Sequence, residues 1–173
     1  MKHRTKISRG TLNVYKTEND IPQQLRLKLN VLANQGLADA VDLQMQLKQA
    51  HWNVKGPHFI GLHELFDKID EAVESYVDLI AERIVQLGGI AGGTARVAAG
   101  RSRLEEYPLN IAYGSAHVEA VSKALSTVGH EARNSIDQAD ELGDADTSDL
   151  FTEISRGIDK WLWFVEAHSQ ATK

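Results

Sequence analysis

Cysteine is absent from this chain of 173 residues. Its absence excludes disulfides, thiolate zinc sites and catalytic cysteine nucleophiles. Any metal must therefore be bound by His, Asp or Glu side chains. That donor set favours iron, manganese or zinc over copper(I) and iron–sulfur clusters.

Proline and aromatic residues are scarce, at three prolines and 6% aromatics, whereas 42% of residues are hydrophobic. A chain of this length is expected to fold as one domain around an adequate core. Long apolar runs are also lacking, so we predict no secretory signal in residues 1–10 and no membrane span. The expected location is the cytoplasm.

Acidic residues are missing from positions 1–16, which carry five basic residues, although the whole chain has a net charge of −5. The acidic body argues against a basic nucleic-acid-binding surface, so any such contact should come from this segment. We predict a mobile basic tail over residues 1–20 and one domain over residues 21–173. The candidate DNA contacts are Lys2, Arg4, Lys6 and Arg9.

Apolar residues recur with helical spacing between positions 23 and 52, where no proline occurs. A helix of this length would extend about 45 Å. The sequence Lys-Gly-Pro at 55–57 ends it. A second helix is predicted from 59 to 87, ending at the glycines 88–89.

A long connection follows over residues 88–107, with a short helical segment predicted near 94–99. A third helix should end at Leu142, and Asp146 or Thr147 should cap a fourth. Four long helices without a credible strand predict an all-α four-helix bundle with a short extra helix in the connection between the second and third.

Four potential metal ligands share one face of the second helix. His63 and Asp67 are four residues apart, as are Asp78 and Glu82, and eleven residues separate the two pairs. At 100° per residue, eleven residues return almost to the same side of a helix. A row of acids is more often simply a solvated face, and that alternative stays open on periodicity alone.

The two pairs are too far apart to share a metal within one helix. Eleven residues span about 16 Å, whereas metal–ligand bonds are about 2 Å long. Two copies of this helix packed antiparallel across a two-fold axis would bring the pairs together and create two equivalent sites. His51, at the end of the first helix, could complete the histidine-rich half. The spacing therefore predicts a metal site between subunits.

A di-iron site inside the bundle can be excluded. Such sites use Glu-x-x-His on two helices, and no histidine in this chain follows a glutamate by three residues. The face of the second helix remains the candidate.

Three segments carry a more specific signature. They are residues 51–67, beginning HWNVKGPHF, residues 78–89, beginning DLIAER, and residues 159–164, DKWLWF. In these segments the chain resembles the Dps family of miniferritins, over roughly residues 22–168.

The resemblance implies a ferritin-like fold and a dodecameric shell with a ferroxidase centre for two irons at each two-fold interface. The protein would oxidise Fe(II) to Fe(III), preferably with hydrogen peroxide, store ferric mineral and protect DNA from oxidative damage. The ligands would be His51, His63 and Asp67 from one subunit and Asp78 and Glu82 from its partner.

Other residues are candidates for supporting roles. Trp52 adjoins His51 and should shape the site, and Lys48, one turn earlier, is a candidate partner for a ligand carboxylate. Entry of Fe²⁺ calls for a negative pore, although a solvated acidic loop with a capping aspartate is the alternative. The candidate pore residues are Asp140, Asp144, Asp146 and Asp149.

A competing hypothesis makes the protein mainly a non-specific DNA-compacting protein, acting through the basic tail. Several tails on one shell would bind together through multivalency. Nucleoid association is then expected in addition to a cytoplasmic location.

Overall fold

The computed structural model describes residues 14–170, and four long helices form a bundle in this range. The helices are α1 (Gln23–Asn53), α2 (Phe59–Gln86), α3 (Ala95–Arg101), α4 (Gly114–Glu141) and α5 (Ala145–Glu166). The predicted all-α bundle with a short extra helix is therefore confirmed. Among the described residues, extended pairing is limited to one bridge between Lys55 and Tyr113.

The helices pack in two pairs around a continuous apolar core. α1 packs along α2 and α4 along α5, and α1 also contacts α3 and α4. Across residues 14–170, no helix combines the length and apolar character that a bilayer span requires. The largest side chains that are fully buried in the core include Leu37, Leu47, Phe66, Ile80, Leu125, Phe151 and Ile158.

The connection between α2 and α4 runs the length of the bundle. Gly88 ends α2 with φ +78°, a conformation that glycine adopts at little cost. The chain then returns to the α1–α2 turn, where the Lys55 amide donates to the Ala112 carbonyl at 2.9 Å and the Gly114 amide to the Lys55 carbonyl at 3.1 Å. Since α4 starts beside that turn, it runs in the same direction as α2.

Polar side chains of α1 fasten this connection. Asn34, Asp39 and Gln46 are all buried, and a buried polar group must form hydrogen bonds to avoid a large desolvation cost. Their partners are backbone groups of residues 90, 92, 103 and 105, at 2.8–3.2 Å. The connection is thus held to α1 along much of its length.

The last helix begins earlier than predicted. Gly143 reverses the chain after α4 with φ +74°, and Asp144, not Asp146 or Thr147, occupies the N-cap position of α5. Asp144 is buried, and its carboxylate receives hydrogen bonds from Arg83 of α2 at 2.8 and 2.9 Å. The buried guanidinium needs a counter-ion, which explains why the aspartate turns inward.

Candidate metal centre

His51 and His63 meet where the chain turns from α1 into α2. Their rings stack with centroids 3.7 Å apart and planes 19° apart. The Nδ1 atom of each ring lies 2.8 Å from the backbone carbonyl oxygen of the other histidine. Phe59 lies beside His63, with ring centroids 5.1 Å apart.

This reciprocal hydrogen bonding sets the tautomer of both rings. A carbonyl oxygen only accepts, so each Nδ1 must carry the hydrogen, which leaves the Nε2 lone pair of the neutral ring free. Metal-binding histidines are typically oriented by this kind of contact to the second nitrogen. The α1–α2 turn therefore presents two imidazoles prepared as ligands.

Asp67 and Lys48 form an ion pair next to these rings. The Lys48 ammonium lies 2.7 Å from Asp67 Oδ1, and His51 Nδ1 lies 3.7 Å from the same oxygen. The hydrogen bond from Lys48 lowers the pKa of Asp67, and partial burial opposes this effect. The bonds to Asp67 and to Asp70 raise the pKa of Lys48. The structure therefore holds an ionised carboxylate beside the two imidazoles.

Asp78 and Glu82 lie further along α2 and are exposed. Within residues 14–170 of one chain, no three His, Asp or Glu side chains are close enough together to bind a metal ion. The structure thus brings His51, His63 and Asp67 to one end of the bundle and leaves the other two predicted ligands apart. One chain offers two separate halves of the predicted ligand set.

The tryptophan next to His51 is not packed against the site within the chain. Trp52 is 66% exposed at the end of α1. Sequence reasoning assigned it a role in shaping the site, and such a role would require a contact from outside the single subunit.

Two residues near the site were missed by sequence reasoning. Asp70 is buried, and its Oδ2 lies 2.9 Å from the Lys48 ammonium. Its position three residues after Asp67, on the same face of α2, was the available signal. Phe59 stood in the sequence only as part of the signature in residues 51–67, because its ring contact with His63 depends on the turn geometry.

The candidate pore residues divide into two groups. Asp140, Asp146 and Asp149 are exposed, whereas Asp144 is buried against Arg83. Asp144 also accepts a short hydrogen bond from Thr147, so its carboxylate belongs to the interior rather than to an open acidic surface. The candidate DNA contacts Lys2, Arg4, Lys6 and Arg9 lie outside the described residues.

Known proteins resemble the chain over most of its length. A family profile described as a ferritin-like domain matches residues 31–173. A DNA protection during starvation protein of Agrobacterium fabrum is 42% identical over 159 residues, which cover 92% of this chain and 98% of that protein. The structure titled Mycobacterium smegmatis Dps tetragonal form superposes with a TM-score of 0.84 at 32% identity, covering 89% of this chain and 94% of that one. For DpsC from Streptomyces coelicolor, the TM-score is 0.88 at 28% identity, with 93% and 94% covered.

Proposed function

The chain belongs to the Dps family of ferritin-like proteins, and we propose that it is a cytoplasmic ferroxidase that stores the ferric product in a hollow homo-oligomer. Fe²⁺ is the substrate, and hydrogen peroxide is the preferred oxidant. The oxidation occurs at sites between subunits of a dodecamer, with two irons at each site. The ligands are His51, His63 and Asp67 of one subunit and Asp78 and Glu82 of the next.

The pairing of His51 with His63 is the observation that carries the proposal. Each ring uses Nδ1 for the other's backbone carbonyl, at 2.8 Å, and so offers Nε2 to a cation. A purely structural histidine pair would not need the charged carboxylate of Asp67 beside it. Imidazole and carboxylate ligands suit Fe²⁺, and the negative charge favours the more highly charged Fe³⁺ product.

The exposed position of the second ligand pair supports a site shared between subunits. Asp78 and Glu82 are both exposed on α2, and antiparallel pairing of two α2 helices would bring them to the histidines of another subunit. Such an interface is isologous and creates two identical sites. Trp52, exposed in the single chain, would then be covered by the partner.

The protein's residues divide the chemical work between them. The two imidazoles and the carboxylates bind and orient the Fe²⁺ substrate, and their fixed geometry lowers the reorganisation required during oxidation. Two Fe²⁺ ions give one electron each to peroxide, which takes up two protons and leaves as two molecules of water. Because both electrons transfer at one site, no hydroxyl radical is released.

Stopped-flow absorbance of Fe²⁺ oxidation by peroxide tests the assignment. We expect rapid oxidation by the wild-type protein and an oxidation rate at least about tenfold lower in His51→Ala. Loss of a residue that only hydrogen-bonds a metal ligand already costs about tenfold, and loss of the ligand itself should cost more. The double variant Asp78→Ala/Glu82→Ala should be impaired in the same way. His130→Ala is the matched control, because His130 is exposed on α4 and is not among the proposed ligands.

Wild-type rates in both ligand variants would overturn the site assignment. If His130→Ala and His51→Ala lower the oxidation rate equally, the effect is not specific to the proposed ligand. Absence of oxidation by the wild-type protein would reject the ferroxidase function itself.

For iron entry, we propose an acidic pore built from the exposed carboxylates of the α4–α5 region. Asp140, Asp146 and Asp149 are available for it, and negatively charged walls in a narrow passage attract cations by focusing the electric field. Asp144 does not take part, because it neutralises Arg83 in the interior.

A second function, non-specific DNA binding, is favoured by the charge of the N-terminal segment. Residues 1–16 carry five basic and no acidic residues, and the relatives' name, DNA protection during starvation protein, agrees with such a role. The contacts would be made by Lys2, Arg4, Lys6 and Arg9, and part of the protein would associate with the nucleoid. Binding should be salt-sensitive because phosphate contacts release counterions.

A further inference from the structure

Asp70 is a buried carboxylate next to the candidate metal centre that none of the proposed steps uses. Its side chain is 5% exposed, compared with 39% for Asp67. Oδ2 lies 2.9 Å from the Lys48 ammonium, and Oδ1 is buried without a hydrogen-bond partner. A buried charge is tolerated only when it is paired, so Lys48 is the group that stabilises Asp70.

Lys48 is therefore shared between two carboxylates in different environments. Its ammonium is 2.7 Å from Asp67 and 2.9 Å from Asp70. Asp67 is accessible and lies beside the imidazoles, whereas Asp70 is closed off from solvent. An incoming cation can thus compete with Lys48 for Asp67 but not for Asp70.

The charges show what this sharing achieves. Lys48, Asp67 and Asp70 carry +1, −1 and −1, so the group keeps one net negative charge beside the two imidazoles. Without the charge of Asp70, the net charge of the group would be zero, and Lys48 would pair with Asp67 alone. A divalent substrate would then have to displace an ammonium that had no other counter-ion.

We propose that Asp70 is a positioning residue that holds Lys48 in place as its second counter-ion, so that Asp67 can exchange Lys48 for Fe²⁺. Asp70 does not touch the substrate. It acts through Lys48, which it keeps neutralised when a cation takes Asp67. This inference rests on the proposed function, because it assigns a regulating counter-ion to the same site.

Titration of the assembled full-length protein with Co²⁺ tests the inference. Co²⁺ is a redox-stable substitute for Fe²⁺, and its visible absorption reports binding without any oxidation. We expect Asp70→Asn to weaken Co²⁺ binding about tenfold, the scale of one unit charge removed at close range in a partly shielded site. It should raise KM for Fe²⁺ by a similar factor, with kcat changed less.

A second pair of variants separates this role from a structural one. Lys48→Met removes the competitor, so Co²⁺ should bind at least as tightly as to wild type, although the unpaired Asp70 should lower the thermal midpoint. Lys48→Met/Asp70→Asn restores the net charge of −1 and should return Co²⁺ affinity to within about threefold of wild type. Glu64→Gln, an exposed acid of the same helix, is the control for loss of one negative charge and should change affinity little.

The outcomes distinguish this inference from the proposed function. Wild-type Co²⁺ affinity in Asp70→Asn, or a double variant that binds as weakly as Asp70→Asn, overturns the role of Asp70 and leaves the ferroxidase proposal standing. The expected Co²⁺ series in a protein that does not oxidise Fe²⁺ rejects the ferroxidase proposal alone. Absence of Co²⁺ binding and of Fe²⁺ oxidation in the wild-type protein overturns both.

Discussion

Replacing Asp144 with alanine removes the counter-ion of a buried guanidinium and tests what holds α2 to the start of α5. The Arg83 and Asp144 side chains are 10% and 6% exposed. One guanidinium nitrogen bonds both carboxylate oxygens, at 2.9 and 2.8 Å, and the Arg83 Nε atom donates to Thr147 at 3.0 Å.

The expected loss of stability follows from the groups that remain. In Asp144→Ala, Arg83 keeps a neutral partner in Thr147 and a distant one in Asp146, 3.7 Å away and 83% exposed. A charge in water compensates a buried one poorly. Breaking a buried ion pair on one side costs about 3–5 kcal/mol. For a chain of this size, that loss corresponds to a decrease in Tm of about 6–20 °C.

Urea unfolding followed by far-ultraviolet circular dichroism measures this loss. Wild type and variants should be compared at one protein concentration, because association adds to apparent stability. Asp146→Ala is the matched control: it removes an exposed carboxylate near the same arginine and should cost less than about 1 kcal/mol. Arg83→Met/Asp144→Leu should recover more than half of the loss, since an apolar pair needs no counter-ion.

Two results would contradict the argument. If Asp144→Ala and Asp146→Ala agree within about 1 kcal/mol, the buried pair contributes no more than a surface one. If the double variant is as unstable as Asp144→Ala, the cost arises from lost shape or backbone capping and not from the unpaired arginine.

Three further predictions concern the shared site, pH and DNA. Mixed oligomers of Asp67→Ala and Glu82→Ala subunits should regain about one quarter of the wild-type oxidation rate. Half of the random dimers contain one subunit of each kind, and such a dimer has both substitutions in one site and leaves the other site intact. No recovery of activity, with mixing verified by mass spectrometry, would place all ligands in one chain. Burial lowers the pKa of His117, and the charge of Lys55 lowers it further. The unfolded chain therefore binds the proton first, so the free energy of unfolding should decrease as the pH drops below the ordinary pKa of 6.5. Urea unfolding between pH 7.5 and 5.5 should show a steeper decrease for wild type than for His117→Gln, and equal pH dependences would reject this prediction. Removal of residues 1–16 should abolish a low-salt gel shift of DNA, and a persistent shift would refute the tail as the binding element.

The contact between His117 and Tyr107 is one that sequence patterns do not predict. His117 is buried on α4, and its Nδ1 lies 2.6 Å from the Tyr107 hydroxyl oxygen, within hydrogen-bonding distance. Tyr107 lies in the long connection, where burial raises the pKa of its phenol. The position of His117 on a helix can be predicted from the sequence, but its contact with a residue in an irregular segment cannot.

The number of helices and their approximate bounds followed from the sequence alone, and the candidate donor set stays a prediction from it. Helical periodicity, proline scarcity and the glycines after α2 act locally, so each is visible in a short window. The distance along α2 between Asp67 and Asp78 is also a property of one helix. It was enough to indicate that the two candidate pairs cannot share a metal within one helix.

Only the tertiary structure decided how those residues are paired. Lys48 and Asp67 are 19 residues apart, and Arg83 and Asp144 are 61 apart. Periodicity places each of these side chains on a face of its own helix, but it does not specify which face of another helix lies opposite. That choice depends on how the whole core packs, so the inward turn of Asp144 and the sharing of Lys48 between Asp67 and Asp70 emerge only when α1, α2 and α5 are assembled.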